Sequence, residues 1–252
     1  MQILSDAHHL ETIVRLQAWR LLEKAEKLKT TMKKIGAQAF VTDWDDTVAY
    51  GVVAWFEKAI VDLGQADYDK HLDGWGMYQK YKVFNNVKYW DPVRFDRWAQ
   101  NTVDQNDLDP HVAAIPGSIE ALWKIPSETH LWFAGYLSAR RERNEESMRR
   151  MLERLGAPPG ELFFPPNHAT YADTHKIKCE LLRYMYPEVQ LHIDDHPLII
   201  KEASVHFPGR LCHFNADAEG ECPQGKIISA SGREWSYLRK RLAHHYPRKR
   251  VA

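Results

Sequence analysis

Phe40-Val41-Thr42-Asp43-Trp44-Asp45-Asp46-Thr47 joins a short apolar, β-prone run to three carboxylates packed into four residues. The lead-in from Ala37 to Thr42 reads as a buried strand, and the acidic cluster sits at its C-terminal end. In open parallel sheets, sites form outside the carboxyl ends of strands. Clustered carboxylates are costly unless something neutralises them. Mg²⁺ suits the task, because it takes oxygen ligands and keeps room for phosphate oxygens. An aspartate can also attack phosphorus and form an aspartyl-phosphate. Asp43 and Asp45 are two apart, so in an extended segment they face the same way. One would attack while the other moves the proton. A solvated acidic turn is the competing reading of the same residues.

After residue 111 a strand–helix rhythm begins. Pro116-Gly117 opens a helix over 118–124. His130 to Leu137 reads as a strand, and Arg140 to Leu155 as a charged helix ended by Gly156. Glu161 to Phe164 is a short strand, Thr174 to Tyr186 a helix, and Val189 to Ile193 a strand ending in Asp194-Asp195. A short helix over 198–203 and a last strand, Arg210 to Phe214, complete the series. Such alternation predicts an α/β fold, a Rossmann-like parallel sheet flanked by helices.

Upstream, residues 6–34 carry apolar side chains at helical spacing, from Leu10 and Ile13 to Leu28 and Met32. They predict one long N-terminal helix, capped by Asp6, stopped by Gly36, and packed on the following domain or on a second copy. Residues 51–110 differ in character. Their aromatics, among them Trp55, Trp75, Tyr81, Trp90 and Trp98, suggest a helical insertion with its own small core. The expected division is an extension over 1–35, a core over 36–50 and 111–252, and an insertion over 51–110. The basic tail, with Arg239, Lys240, Arg241, Arg248, Lys249 and Arg250, reads as a solvated helix or, more sharply, as a polyanion contact.

Four further groups draw attention. Ser138 follows the strand Leu131–Leu137 and precedes a helix, so its hydroxyl is an anion ligand or a simple N-cap. Lys176 and Lys178 lie at an expected helix start, where the dipole disfavours a cation. Asp194-Asp195 repeats the pattern of an acidic pair after a strand. Arg140, Arg141 and Arg143 follow Ser138; at least two are expected at solvated helix positions, and one is a candidate to reach a substrate.

The global numbers exclude little. The chain has 252 residues, 44% hydrophobic and 27% charged, with 34 basic against 34 acidic residues. That balance demands neither a nucleic-acid nor a membrane partner. Cys179, Cys212 and Cys222 show no CxxC spacing, so neither a disulfide framework nor a structural zinc is expected. Met1 to Asp6 turns charged early, and no apolar run approaches the roughly 18 residues of a span. A reducing cytoplasm is the expected compartment, and the oligomeric state is open.

In this order the motifs resemble those of the haloacid dehalogenase (HAD) superfamily of phosphohydrolases. The family's first motif, DxDx(T/V), is matched by Asp43-Trp44-Asp45-Asp46-Thr47. Ser138 stands for the second, Lys176 or Lys178 for the third, and Asp194-Asp195 for the fourth. The resemblance covers roughly residues 37–50 and 112–215. It implies that Asp43 attacks phosphorus and Asp45 is the general acid/base. It implies that Ser138 and a lysine hold the phosphoryl oxygens. Asp43, Asp45 (through its backbone carbonyl) and Asp194 or Asp195 would hold Mg²⁺. The insertion after the first motif matches the family's C1 cap in position. True dehalogenases of the family lack the second aspartate of the first motif, so Asp45 favours phosphoryl transfer. The expected activity is a Mg²⁺-dependent phosphatase on a small phosphorylated metabolite or nucleotide. The alternatives are a phosphotransferase or mutase, a polynucleotide end-phosphatase using the tail, and a non-catalytic binding protein.

Overall fold

Gln38–Thr42 (β1) is buried on both faces beyond its first residue, as a central strand of a covered sheet is. A computed structural model describes residues 10–51, 53–55, 58, 62, 111–214, 227–230 and 234–248. Strand β1 is flanked by Leu131–Leu137 (β2) and Val189–Asp194 (β4). The complete order is β3-β2-β1-β4-β5-β6, with Glu161–Phe163 as β3, Arg210–Phe214 as β5 and Ile227–Ala230 as β6. Every neighbouring pair is parallel. The expected α/β architecture is therefore present, with one strand, β6, beyond the expected series.

The chain runs outward from β1 to β3 on one side, then returns to build β4 to β6 on the other. The boundary between β1 and β4 is thus a topological switch point, where open α/β sheets form their crevice. Thr42 is in register with Ile193, and the Asp43 N–H donates to the Ile193 carbonyl at 2.7 Å. Asp43 and Asp194 consequently leave adjacent strands side by side.

Helices cover both faces. One core joins Ser118–Glu128 (α3), Glu145–Leu155 (α4) and Trp235–His245 (α7) to the sheet through Leu122, Ile125, Met151, Trp235 and Leu238. The other joins Glu11–Arg15 (α1), Trp19–Ile35 (α2), Tyr171–Met185 (α5) and Pro197–His206 (α6) through Ile13, Leu21, Ala25, Leu181 and Ile200.

Several expectations are corrected. The described part of 6–34 is two helices, not one. Gln17 adopts a left-handed φ of 53°, the Ala18 N–H donates to the Ile13 carbonyl and the Gln17 N–H to that of Val14. That is a Schellman ending built on glutamine. The start of α1 is held from afar, since Glu180 accepts from the Thr12 and Ile13 N–H groups. Asp6 lies outside the described residues. Gly36 does end α2, at φ 62°. Helix α3 runs past Lys124 to Glu128 with Pro126 in its last turn. The segment after Ser138 makes a single 3-10 turn, Glu142–Asn144, before α4 begins. Helix α7 is no solvated tail: Trp235, Leu238 and Leu242 are fully buried, and Arg239 is spent on Glu120 and Glu128.

Most of the expected insertion, and Cys222, lie outside the described residues. Gly51, residues 53–55, Lys58 and Asp62 are helical. No described helix is long and apolar enough to cross a membrane.

Candidate active site

Asp43 occupies the first position after β1 and is nearly buried. The chain then turns sharply. Asp46 takes a left-handed φ of 57°, which aspartate tolerates better than most residues. The Trp44 carbonyl accepts from both the Val48 and Ala49 N–H groups. Two distant elements pin this turn. The Trp235 indole of α7 donates to the Thr47 carbonyl at 2.9 Å, and the Ser118 hydroxyl of α3 donates to the Val48 carbonyl at 2.8 Å.

Lys178 is the cation at the centre. Its Nζ donates to Asp43 Oδ1 at 2.6 Å and to Asp194 Oδ2 at 3.0 Å, with all three side chains buried. It lies two turns inside α5 rather than at the helix start. Thr170 caps that helix through a reciprocal box with Asp173, three residues earlier than the spacing suggested. Lys176 is not at this cluster. It is exposed, beside a surface hollow it lines with Arg15, Glu180 and Glu202.

Asp194 is held from several directions. His192 Nε2 lies 2.9 Å from its Oδ2, and the His196 backbone N–H donates to Oδ1 at 2.8 Å. Asp195 exchanges two hydrogen bonds with Thr47, whose hydroxyl donates to Oδ1 at 2.9 Å and accepts the Asp195 N–H at 3.0 Å. Carboxylate oxygens of Asp43, Asp194 and Asp195 all lie within 4.8 Å of one another. Ser138 is fully buried at the neighbouring end of β2, and its hydroxyl accepts from the Arg140 N–H at 3.2 Å.

The Asp45 side chain is not in this carboxylate cluster. Its two oxygens accept from Arg140 Nε and Nη2, both at 2.9 Å, in a fork. Arg140 is thus neither solvated nor part of a helix. Arg141 turns away, donating to the Ala139 carbonyl and the Thr174 hydroxyl.

The electrostatics are those of an over-negative pocket. With all three carboxylates ionised against one ammonium, the excess would be two negative charges, which one divalent cation would cancel. Burial, with the charges of Asp194 and Asp45 added, outweighs Lys178 and pushes Asp43 up to about 8. Burial, aided by Asp194 and Asp46, raises Asp195 well above the usual carboxylate range. Burial would raise Asp194 too, but Lys178 and His192 outweigh it and keep it ionised. Burial likewise opposes the charge on Lys178, and the two aspartates overcome it. His192 is held neutral by burial, so its Nε2 carries the hydrogen given to Asp194.

The donor set fits Mg²⁺. All three groups supply oxygen, the ligand this ion prefers over nitrogen or sulfur. With Mg–O bonds of about 2.1 Å, ligand oxygens lie up to about 4.2 Å apart. The three carboxylates need only a small convergence to reach that spacing.

A pH dependence of stability follows from these directions. Asp43 and Asp195 bind protons more tightly folded than unfolded. The contribution of each is complete below the ordinary 3.8; that of Asp43 is lost as pH rises through about 8, and that of Asp195 as pH rises through its own raised value. His175 and His196 act oppositely. Burial lowers both from 6.5 to about 4, so their contribution is complete above 6.5 and lost as pH falls through about 4. Above pH 6.5 the aspartates titrate without that opposition. In EDTA, the melting temperature is expected to fall between pH 6.5 and pH 8. Mg²⁺ would bind the ionised carboxylates, so added Mg²⁺ is expected to raise it more at pH 8 than at pH 6.5. Equal stabilisation at both pH values would contradict the assignment.

No family model matches the chain, and no curated protein matches it. Among solved structures, the crystal structure of an L-2-haloacid dehalogenase aligns with 82% of this chain and 99% of its own. The two are 13% identical, and the TM-score is 0.45.

Proposed function

We propose that the chain is a HAD-superfamily phosphatase that hydrolyses a small phosphorylated metabolite or nucleotide with Mg²⁺. The observation that carries this reading is the convergence of Asp43, Lys178, Asp194 and Asp195 at the switch point between β1 and β4. Residues of the first, third and fourth motifs thereby meet at one end of the sheet, and Ser138 of the second follows the adjacent strand β2.

Asp43 attacks phosphorus in line. Lys178 ties down its Oδ1 at 2.6 Å, which leaves Oδ2 as the attacking atom. As the Asp43–phosphorus bond forms, the bond to the leaving oxygen breaks, and Asp45 gives that oxygen a proton. In the second half a water attacks phosphorus and yields a proton to Asp45. The Asp43–phosphorus bond breaks, and inorganic phosphate departs. Ser138 and Lys178 hold the phosphoryl oxygens as charge shifts. Asp43, Asp194 and Asp195 would hold Mg²⁺, which would supply charge to screen the repulsion between nucleophile and phosphate. Asp43, pushed up to about 8 by burial and its neighbouring carboxylates, would be ionised at neutral pH with that charge beside it.

Turnover of 4-nitrophenyl phosphate tests the reading. Release of nitrophenol is expected with Mg²⁺, lost after EDTA, and restored when Mg²⁺ is returned. Turnover indifferent to thorough metal removal would contradict the metal role.

A further inference from the structure

We infer that Gly51 and Arg140 are positioning residues for Asp45, together fixing the carboxylate that moves the proton. The inference rests on the reading of Asp45 as general acid/base given above. It starts from two contacts on one carboxylate. Arg140 holds both Asp45 oxygens at 2.9 Å, and the two side chains are only 3% and 11% exposed. A guanidinium fork shielded in this way fixes orientation as well as charge. Each oxygen keeps a lone pair for a proton or substrate.

Gly51 supplies the second contact. A Cβ added there would lie 1.7 Å from Asp45 Oδ1 and 2.7 Å from Asp45 Cγ. A flexible side chain could swing aside, but Asp45 is short and has both oxygens tied to Arg140. The absence of a side chain at position 51 is therefore a condition of the fork, independent of backbone conformation. Gly51 is itself buried, and its N–H donates to the Ala49 carbonyl at 2.8 Å.

Trp55 links the pair to the chain beyond. Four residues after Gly51, its ring centre lies 5.4 Å from the Arg140 guanidinium carbon, at cation–π distance. Gly51 touches Asp45, and Trp55 covers the arginine that holds it. The start of the segment after the first motif is thus built into the placement of Asp45.

Leaving-group dependence separates positioning from bulk stability. A misplaced acid harms substrates with poor leaving groups and spares those that need no proton. With Mg²⁺ and the full chain, kcat/KM is measured on 2,4-dinitrophenyl phosphate and phenyl phosphate. The variants are Asp45→Ala, Gly51→Ala and Arg140→Lys, the last keeping the charge and losing the fork. Melting curves accompany each. Asp45→Ala is expected to lose about 10²-fold or more on phenyl phosphate and little on the dinitrophenyl ester. Gly51→Ala and Arg140→Lys are expected to show the same selective loss. If Gly51→Ala does not fold, Arg140→Lys decides. If Asp45→Ala discriminates and the other folded variants lose activity evenly or not at all, the positioning role is wrong and the site reading stands. If Asp45→Ala itself does not discriminate, both fall.

Discussion

Asp43→Asn is expected to remove aryl phosphate turnover, by about 10⁴-fold or more, without lowering the melting temperature. The first half follows from the role of the side chain. An amide oxygen cannot act as the attacking carboxylate, and losses of this size are what removal of a nucleophile produces. The second half follows from the electrostatics. Burial and the neighbouring carboxylates already disfavour charge on Asp43, pushing it to about 8. Replacing a strained anion by a neutral isostere relieves part of the excess. In EDTA at pH 8 the variant is expected to melt at or above the wild type. Loss of activity with equal or higher stability marks a residue kept for chemistry. A large drop in melting temperature would show that Asp43 serves the fold instead. Calorimetry beside the activity assay checks both halves.

Lys178→Met is expected to fail on both counts. Lys178 is fully buried between Asp43 and Asp194, so its removal leaves two carboxylates facing each other without a counter-charge. Breaking a buried pair from one side costs about 3–5 kcal/mol. Activity is expected to fall by about 10²-fold or more, through loss of the nucleophile's orientation and of a phosphoryl-oxygen donor. The destabilisation has a pH signature. Protonating the stranded carboxylates relieves it, so the gap from wild type should be wider at pH 8 than at pH 5. Denaturation at the two pH values measures that gap. A gap that is small and independent of pH would mean that Lys178 is not the counter-charge.

Much of this arrangement was legible in the sequence. Apolar runs stopping at Asp43 and at Asp194-Asp195 marked two strand ends, and the alternation after residue 111 placed the flanking helices. Gly36 and Gly156 stop their helices because a left-handed residue is needed there. The same device at Gln17 has no sequence signal, because nothing marks a glutamine as left-handed. Strand β6 offered only Ile227-Ile228 as an apolar signal. The burial of α7 depends on where α3 lies, which no local pattern reports.

The site divides in the same way. Lys178 shares the buried stripe of α5 with Leu181, Leu182 and Met185, whereas Lys176 lies on the opposite side. Helical spacing alone carried that distinction, since residues two apart diverge by about 200°. His192 was also within reach, because it alternates with Asp194 along one strand and so faces the same way. The Arg140–Asp45 fork spans 95 residues of sequence, and the Thr47–Asp195 exchange spans 148. Contacts of that range are set by strand order, and no motif reports them in advance.

On the proposed reading, the Asp43 carboxylate carries the phosphoryl group between the two half-reactions. Quenching turnover with acid and reducing the protein with borohydride converts an aspartyl-phosphate to homoserine, which peptide mass spectrometry locates. Homoserine is expected at position 43 in the wild type given Mg²⁺ and substrate, and none without substrate or in Asp43→Asn. Active enzyme with position 43 unmodified, or with the mark on another carboxylate, would contradict it.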